Sequence, residues 1–313
     1  MWAPVHPKKL FTAPLPAIIP AFQEVGFTLV DVGGRDDPVQ ELVSLAPFAH
    51  YVVSEPDRDA VIARGPWRKL TVVREAIAAG AGEATLYLAS SRGMSSLREP
   101  DPAVVGQLPI AARFAIEGTC RVGTTTLDAA SAAGGFTDAC FLKLDTQGTE
   151  LEILRSGAGL LPSVLGVKVE VSFRPYYRGQ ALFSDVDTYL RRAGFELFAL
   201  ERAHFRRAGR RPQLYSRRGL AWAHCLYLRE PAGLPREALI RLLGLALAWQ
   251  QVDLALEIAG ALPELFADVE TAAERLTRHR LYGQTPADSI AELADSSRDK
   301  SAANSRTAGR RDR

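Results

Sequence analysis

Two short apolar segments carry charges where a buried strand normally carries none. In FLKLD, Phe141, Lys143 and Asp145 share one face of an extended chain, and Leu142 and Leu144 take the other. In VKVEVS, Lys168, Glu170 and Ser172 lie opposite Val167, Val169 and Val171. Central strands of a parallel sheet read as continuously apolar, and a lone buried charge is costly, so these groups need partners. The expected pairing is Lys143 with Glu170 across neighbouring strands. Asp145, at the exit of its strand, would face a ligand cleft. A carboxylate there can take the proton of an attacking hydroxyl or orient it. Asp145 is the first candidate for that catalytic role and Glu170 the second. The plainer alternative for Lys143 and Glu170 is a stabilising ion pair. Glu150 and Glu152 read as acids complementing a helix dipole.

A second group of residues follows the first apolar run. The turn Asp31-Val32-Gly33-Gly34-Arg35-Asp36-Asp37-Pro38 has two adjacent glycines but no G-x-G-x-x-G. A dinucleotide pyrophosphate sits on helix N-terminal N–H groups, and acids there repel it, so Asp36 and Asp37 count against NAD. S-adenosylmethionine carries a sulfonium and an ammonium instead, and an acidic turn suits it. Glu55, at the end of the next apolar run, can accept both ribose hydroxyls of an adenosine. Ala76 is small enough for an adenine plane to pass. The candidate cofactor residues are therefore Asp31, Gly33, Gly34, Glu55, Ala76 and Asp145. Taken singly, Asp36 is as readily a helix cap and Glu55-Pro56-Asp57 a solvated loop; their order on successive strands favours an adenosine site. Ser95 and Ser96 can hydrogen-bond a ligand, although serine-rich loops are commonly turns.

These residues must be positioned by an α/β framework. FTLVDV, HYVVSEP, LTVVREAIA, ACFLKLD, VLGVKVEVSF, FELFAL and AWAHCLYLR read as strands. EATLYLA alternates strictly, as a half-exposed hairpin strand does, and CRVGTTTLD is extended. PVQELVSLAPF and FSDVDTYLRRAG read as helices. A further helix spans Glu150 to about Ser156, with Thr149 and Glu152 as a capping box and Gly157 as its stop. Such alternation predicts a Rossmann-like, mainly parallel sheet with helices on both faces. Residues 1–26 form a lead segment, 27–230 the main domain, and 235–285 a helical appendage. Residues 286–313, poor in apolar side chains, are expected to be a disordered tail.

Read in order, LVDVGG, SEP, EAIAAGAGEATLYLASSRGMSSL, TTTLD, FLKLDTQGTELEIL and KVEVSFRPYYRGQALFSDVDTYLRRAGFEL resemble the FkbM-type methyltransferases, a class I S-adenosylmethionine-dependent family. K-L-D-T-Q-G-T-E followed by E-V-S-F carries the resemblance most specifically. It implies a seven-stranded sheet with a reversed last strand, S-adenosylmethionine as cofactor, and O-methylation of a hydroxyl on a sugar, glycan or secondary metabolite. The first loop departs from that pattern: Arg35 and Asp36 stand where the family usually has an Asn or similar residue and a further Gly. Two other readings follow. One is a non-catalytic scaffold or regulator on a methyltransferase fold; the other, disfavoured by the acidic turn, is a NAD-dependent oxidoreductase.

Composition narrows the partners. The chain has 313 residues, enough for a large core, and its net charge of +2 gives no bulk attraction to nucleic acid. The apolar run LLGLALAW is too short to span a membrane. Cys120, Cys140 and Cys225 form no CxxC, and the five histidines have no metal-ligand spacing, so no metal is expected. A soluble, cytoplasmic protein is the simplest reading. Arg202, Arg206, Arg207, Arg210, Arg211, Arg217 and Arg218 make a basic loop that suits an anionic acceptor, or is a solvated flap. The Leu- and Ala-rich helices over 235–266 suit a homodimer.

Overall fold

The computed structural model describes residues 15–35, 37–62, 65–208 and 218–282, with side chains described as far as 276. The seven-stranded sheet is built from β1 (Phe27–Val32), β2 (Ala49–Ser54), β3 (Lys69–Val73), β7 (Phe141–Leu144), β8 (Gly166–Ser172), β9 (Phe195–Phe205) and β10 (Gly219–Arg229). Its order is β3-β2-β1-β7-β8-β10-β9, and only β10 runs antiparallel to its neighbours. This is the expected sheet with its last strand reversed. A three-stranded sheet, β4 (Ala76–Ile77), β6 (Ile116–Thr125) and β5 (Gly82–Ala89), stands beside it. The run LTVVREAIA thus divides between β3 and β4 and joins two sheets.

The alternation of side chains sorts the two faces of the large sheet. Val30, Leu142, Leu144, Val167, Val169, Cys225 and Tyr227 face α3 (Leu127–Gly134), α4 (Glu150–Ser156) and α5 (Phe183–Arg192), in one apolar cluster with Leu127, Ile153, Leu154 and Leu190. Leu29, Tyr51, Val53, Phe141, Leu226 and Leu228 form the opposite cluster. There the connection from β1 to β2 contributes a 3₁₀ stretch (Gln40–Phe48) containing Pro47, whose Leu42, Leu45 and Phe48 join the cluster. The chain ends cover the rest. α1 (Ile18–Val25), α6 (Arg236–Ala248), α7 (Val252–Gly260) and α8 (Phe266–Tyr282) join this cluster through Leu15, Ile18, Phe22, Leu243, Ile258 and Val269.

α6 is buried around most of its circumference, as a helix lodged between layers should be. A Cβ on its Gly244 would lie 2.6 Å from the Phe27 ring, so the glycine permits close contact with β1. Asp268 of α8 accepts hydrogen bonds from the backbone N–H groups of Ala17 (2.7 Å) and Ile18 (3.0 Å), capping α1 from the far end of the chain. Residues 235–276 are therefore part of the main core. Leu239, Leu242, Leu243 and Ala246 are buried in this cluster. The region expected as a tail, 286–313, lies outside the described residues. No described helix is long and apolar enough to cross a membrane.

Candidate active site

The strands β1, β2 and β7 end together, and their ends are tied by backbone bonds. Gly33 N–H donates to Ser54 O (2.9 Å), Glu55 N–H to Val73 O (3.1 Å) and Asp145 N–H to Val32 O (3.1 Å). Gly33 has φ +78°, and a Cβ there would lie 2.1 Å from the Asp145 carbonyl oxygen. Only glycine fits. A Cβ on Gly34 would meet Val53 at 2.7 Å and the Asp31 carboxyl at 2.8 Å, so this glycine serves packing beneath the turn.

Above these ends opens a cleft of about 620 Å³, counting its mouth. Gly33, Arg35, Glu55, Asp57, Asp145 and Gln147 line one part of it, and Ala76, Ile77 and Leu86 make an apolar wall. Ser95, Ser96 and Leu97 close the side toward Thr146 and Thr149. An adenine would be received by the Ala76–Ile77–Leu86 wall, and a ribose by Glu55 at the end of β2. One oxygen of Glu55 accepts the Asp57 N–H (2.8 Å), while the other lies 3.9 Å from Arg35 Nε and keeps capacity to accept. Burial pushes the Glu55 carboxyl above its usual value, opposed by the Asp57 bond and the Arg35 charge. Arg35 itself grips Asp57. The residue that departs from the family pattern is thus neutralised by the second acid of the Glu55-Pro56-Asp57 loop. Asp36 lies outside the described residues.

Asp31 does not reach the cleft. It is 2% exposed and lies under the floor, where Tyr51 Oη donates to it at 2.7 Å and Lys143 Nζ pairs with it at 3.1 Å. Lys143 also donates to Gly33 O (3.2 Å) and lies 3.8 Å from Asp145. Burial opposes its charge, but the carboxylates of Asp31, Asp145 and Glu170 outweigh burial and raise its pKa. The expected Lys143–Glu170 ion pair is not formed. The register places Lys143 beside Lys168 and Asp31, so Glu170, two residues further along β8, is level with Asp145. Lys168 pairs instead with Glu41 (3.1 Å) and lies over the Trp249 ring.

Gln147 joins the two carboxyls. Its Nε2 donates to Asp145 Oδ1 (3.0 Å) and Glu170 Oε2 (2.8 Å). Tyr177 Oη shares its proton between Gln147 Oε1 (3.0 Å) and Met94 O (2.9 Å). Gln147 holds this position with φ +60°, and its carbonyl accepts from Ser96 Oγ (2.8 Å). Asp145 opens onto the cleft, with its side chain 27% exposed, whereas Glu170 lies behind Gln147. Although the Glu170 residue retains some exposed surface, its carboxyl is enclosed by protein. Burial, then the charges of Asp145 and Glu150, push it well above the usual carboxylate range. The two acids are therefore differentiated. Asp145 is open to the cleft, and Glu170 is the one whose carboxyl is pushed upward. His224, directly across from Glu170 on β10, is driven toward its neutral form chiefly by burial.

The loop between β7 and α4 departs from expectation at three residues. Glu150 accepts the N–H groups of Thr146 (2.9 Å) and Gly148 (3.0 Å), so it folds the loop back on itself as well as facing the helix start. Glu152 pairs with Arg98, far away in sequence, and Thr149 Oγ1 donates to Thr146 Oγ1 (2.9 Å). The expected Thr149–Glu152 capping box is therefore absent, although α4 starts and stops where the sequence indicates. Ser95 accepts the Ala89 N–H and stabilises its own turn. Of the basic loop, Arg210, Arg211 and Arg217 lie outside the described residues; Arg202 is on β9, which runs on to Phe205.

Gln147 and Tyr177 were missed as site residues by sequence reasoning. The signal for Gln147 was its place between Asp145 and Gly148 at a strand exit, where tight turns need left-handed backbone. Tyr177 gave none, since only the tertiary fold brings it to Gln147.

The model of the "Methyltransferase FkbM domain" matches residues 31–197, from the end of β1 into β9. No curated protein matches the sequence. Among solved structures, magnesium protoporphyrin IX methyltransferase (ChlM) from Synechocystis PCC 6803 with bound SAM is similar at 10% identity and a TM-score of 0.32. That likeness covers 71% of this chain and 88% of the other, and it says nothing about the reaction catalysed here. With the family match spanning more than half of the chain, this protein belongs to the FkbM methyltransferase family, whose members depend on S-adenosylmethionine.

Proposed function

We propose that this methyltransferase acts on oxygen, transferring a methyl group to a hydroxyl of a sugar, glycan or secondary metabolite. The supporting observation is the divided pair of acids at the end of β7 and β8, one open to the cleft and one enclosed. S-adenosylmethionine supplies an electrophilic methyl on a sulfonium; the chain's own residues hold the reactants and manage the proton. Gly33, Glu55 and the Ala76–Ile77–Leu86 wall receive the cofactor, while Asp31 and Lys143 brace the floor from below.

An alcohol is a poor nucleophile until its proton is taken. Asp145 accepts that proton at a carboxylate oxygen. Gln147 fixes the plane of Asp145, and protonated Glu170 avoids placing a second negative charge beside it. A small-molecule or glycan acceptor is the partner, with an anionic one favoured by the arginines of the β9–β10 connection. The chain acts in the cytoplasm on an acceptor other than nucleic acid, and no described helix is long and apolar enough to cross a membrane.

The test offers labelled S-adenosylmethionine with a panel of hydroxyl-, amine- and thiol-bearing acceptors. The expected products are methyl ethers. Asp145→Asn is expected to lower kcat by about 10²–10⁴-fold, the range for a general base, while S-adenosylhomocysteine binding persists. Transfer confined to nitrogen or sulfur, or an Asp145→Asn enzyme of full activity, would refute the proposal.

A further inference from the structure

Just past the end of β8 the chain makes a tight turn, Arg174-Pro175-Tyr176, closed by a bond from Tyr176 N–H to Arg174 O (3.0 Å). The two side chains that flank Pro175 are held in place, yet each keeps a polar atom unused. The Arg174 guanidinium lies over the Phe205 ring, 5.0 Å from its centre, and its Nη2 donates to Gln107 Oε1 (2.8 Å). Its Nη1 is buried and has no hydrogen-bond partner among the described residues. Tyr176 is 3% exposed, with its ring 6.2 Å from that of Phe114 and 6.3 Å from that of Trp222. Its Oη likewise has no partner among the described residues. Buried donors are nearly always paired, so two unpaired ones on a single turn call for a ligand. Arg174 and Pro175 keep surface in water, which places the turn at the boundary of the protein rather than in its interior.

This turn adjoins the reaction centre. Tyr177, next in the chain, donates to Gln147, and Gln147 donates to Asp145. Trp222 stands opposite Ser172, two residues beyond Glu170 on the same face of β8. Burial, opposed by Arg174 and aided by Glu170, pushes the Tyr176 phenol up to about 12. The phenol therefore keeps its proton at neutral pH and lies within electrostatic reach of both groups. One free guanidinium nitrogen and one hydroxyl, set on a rigid turn beside aromatic rings, match the two acceptor oxygens of a planar carboxylate.

We propose that Arg174 and Tyr176 form an anion subsite for the acceptor, in which Arg174 Nη1 and Tyr176 Oη hold a carboxylate while the acceptor hydroxyl is presented to Asp145. The inference rests on the reading of this cleft as a site of methyl transfer to a hydroxyl. It narrows the acceptor to a hydroxy acid, such as a uronic-acid sugar or a hydroxylated aromatic acid.

Calorimetric titration of the full chain, with and without S-adenosylhomocysteine, tests it. The probes are glucuronate and para-hydroxybenzoate, the neutral counterparts glucose and methyl para-hydroxybenzoate, and inorganic phosphate as a second anion. Each carboxylate is expected to bind about 10–100-fold more tightly than its neutral counterpart, the worth of charged hydrogen bonds. Arg174→Gln should abolish that preference, and Tyr176→Phe should reduce it about tenfold. Because the hydroxyl it removes has no partner in the described chain, Tyr176→Phe should melt no lower than the parent. A lower melting temperature would show that the hydroxyl is spent on structure and would overturn the proposal. So would equal binding of carboxylate and neutral probes, a preference that survives Arg174→Gln, or tighter binding of phosphate than of glucuronate. Carboxylate binding that responds to both variants, with no hydroxyl methylated when S-adenosylmethionine is supplied, would support the subsite and count against oxygen transfer. Methylation of neutral acceptors alone would do the reverse.

Discussion

Replacing Gly33 with alanine tests the geometry that joins the first turn to the β7 exit. The residue sits at φ +78°, where an L side chain costs about 1–2 kcal/mol. The added Cβ would lie 2.1 Å from the carbonyl oxygen of Asp145, a backbone atom that cannot rotate aside. That residue is itself held by its N–H bond to Val32 O, so strands β1 and β7 must part. Overpacking of this kind costs about 1–3 kcal/mol. Together the terms give roughly 2–5 kcal/mol, and at about 2–4 °C per kcal/mol for a chain of this size the melting temperature should fall by roughly 4–20 °C. Gly80→Ala is the control, because no atom lies within 4 Å of its added Cβ, and it should stay within about 2 °C of the parent. Scanning calorimetry or fluorescence melting measures both. A Gly33→Ala protein melting with the parent would refute the reasoning.

Three further outcomes follow from other parts of the site and core. The Glu170 pKa is raised by folding, so the carboxyl favours the folded state when protonated. That contribution is complete below the unfolded carboxylate pKa and is lost as pH rises through the folded value. Glu170→Gln should therefore gain stability relative to the parent as pH rises from about 4.3 upward; melting curves from acid to mildly alkaline pH showing the opposite trend contradict this. Gln147→Ala removes two donor bonds to carboxyls and should destabilise by about 2–4 kcal/mol, measurable by urea unfolding, with no loss counting against the bridge. Asp268→Ala uncaps α1 and should cost about 1–3 kcal/mol; an unchanged unfolding midpoint would show that the chain ends are not coupled.

The strands were legible because branched apolar runs such as FTLVDV are buried on both faces, as parallel strands must be. The alternation in FLKLD and VKVEVS correctly separated charged from apolar faces. It could not give the register between β7 and β8, and a two-residue offset is what moved Glu170 from Lys143 to Asp145. The capping box failed because Arg98, distant in sequence, takes Glu152, a competition that no local pattern reveals. The C-terminal helices looked like an addition because the sequence does not announce what it lacks. The 3₁₀ stretch of the β1–β2 connection covers one part of this sheet face, and α6 to α8 cover the rest. Gln147 escaped notice because its role depends on a left-handed backbone and on Tyr177, brought in from the far side of β8.

The central claim is that the cleft over β1, β2 and β7 holds the adenosine of S-adenosylmethionine through Glu55. Calorimetric titration of the purified protein with S-adenosylmethionine and S-adenosylhomocysteine, with NADH alongside, tests it most directly. The account predicts micromolar binding of both sulfur ligands and none of NADH. It also predicts an affinity loss of about 10–100-fold in Glu55→Ala, the worth of one or two hydrogen bonds to a carboxylate. Failure of both sulfur ligands to bind, or undiminished binding by Glu55→Ala, would contradict it.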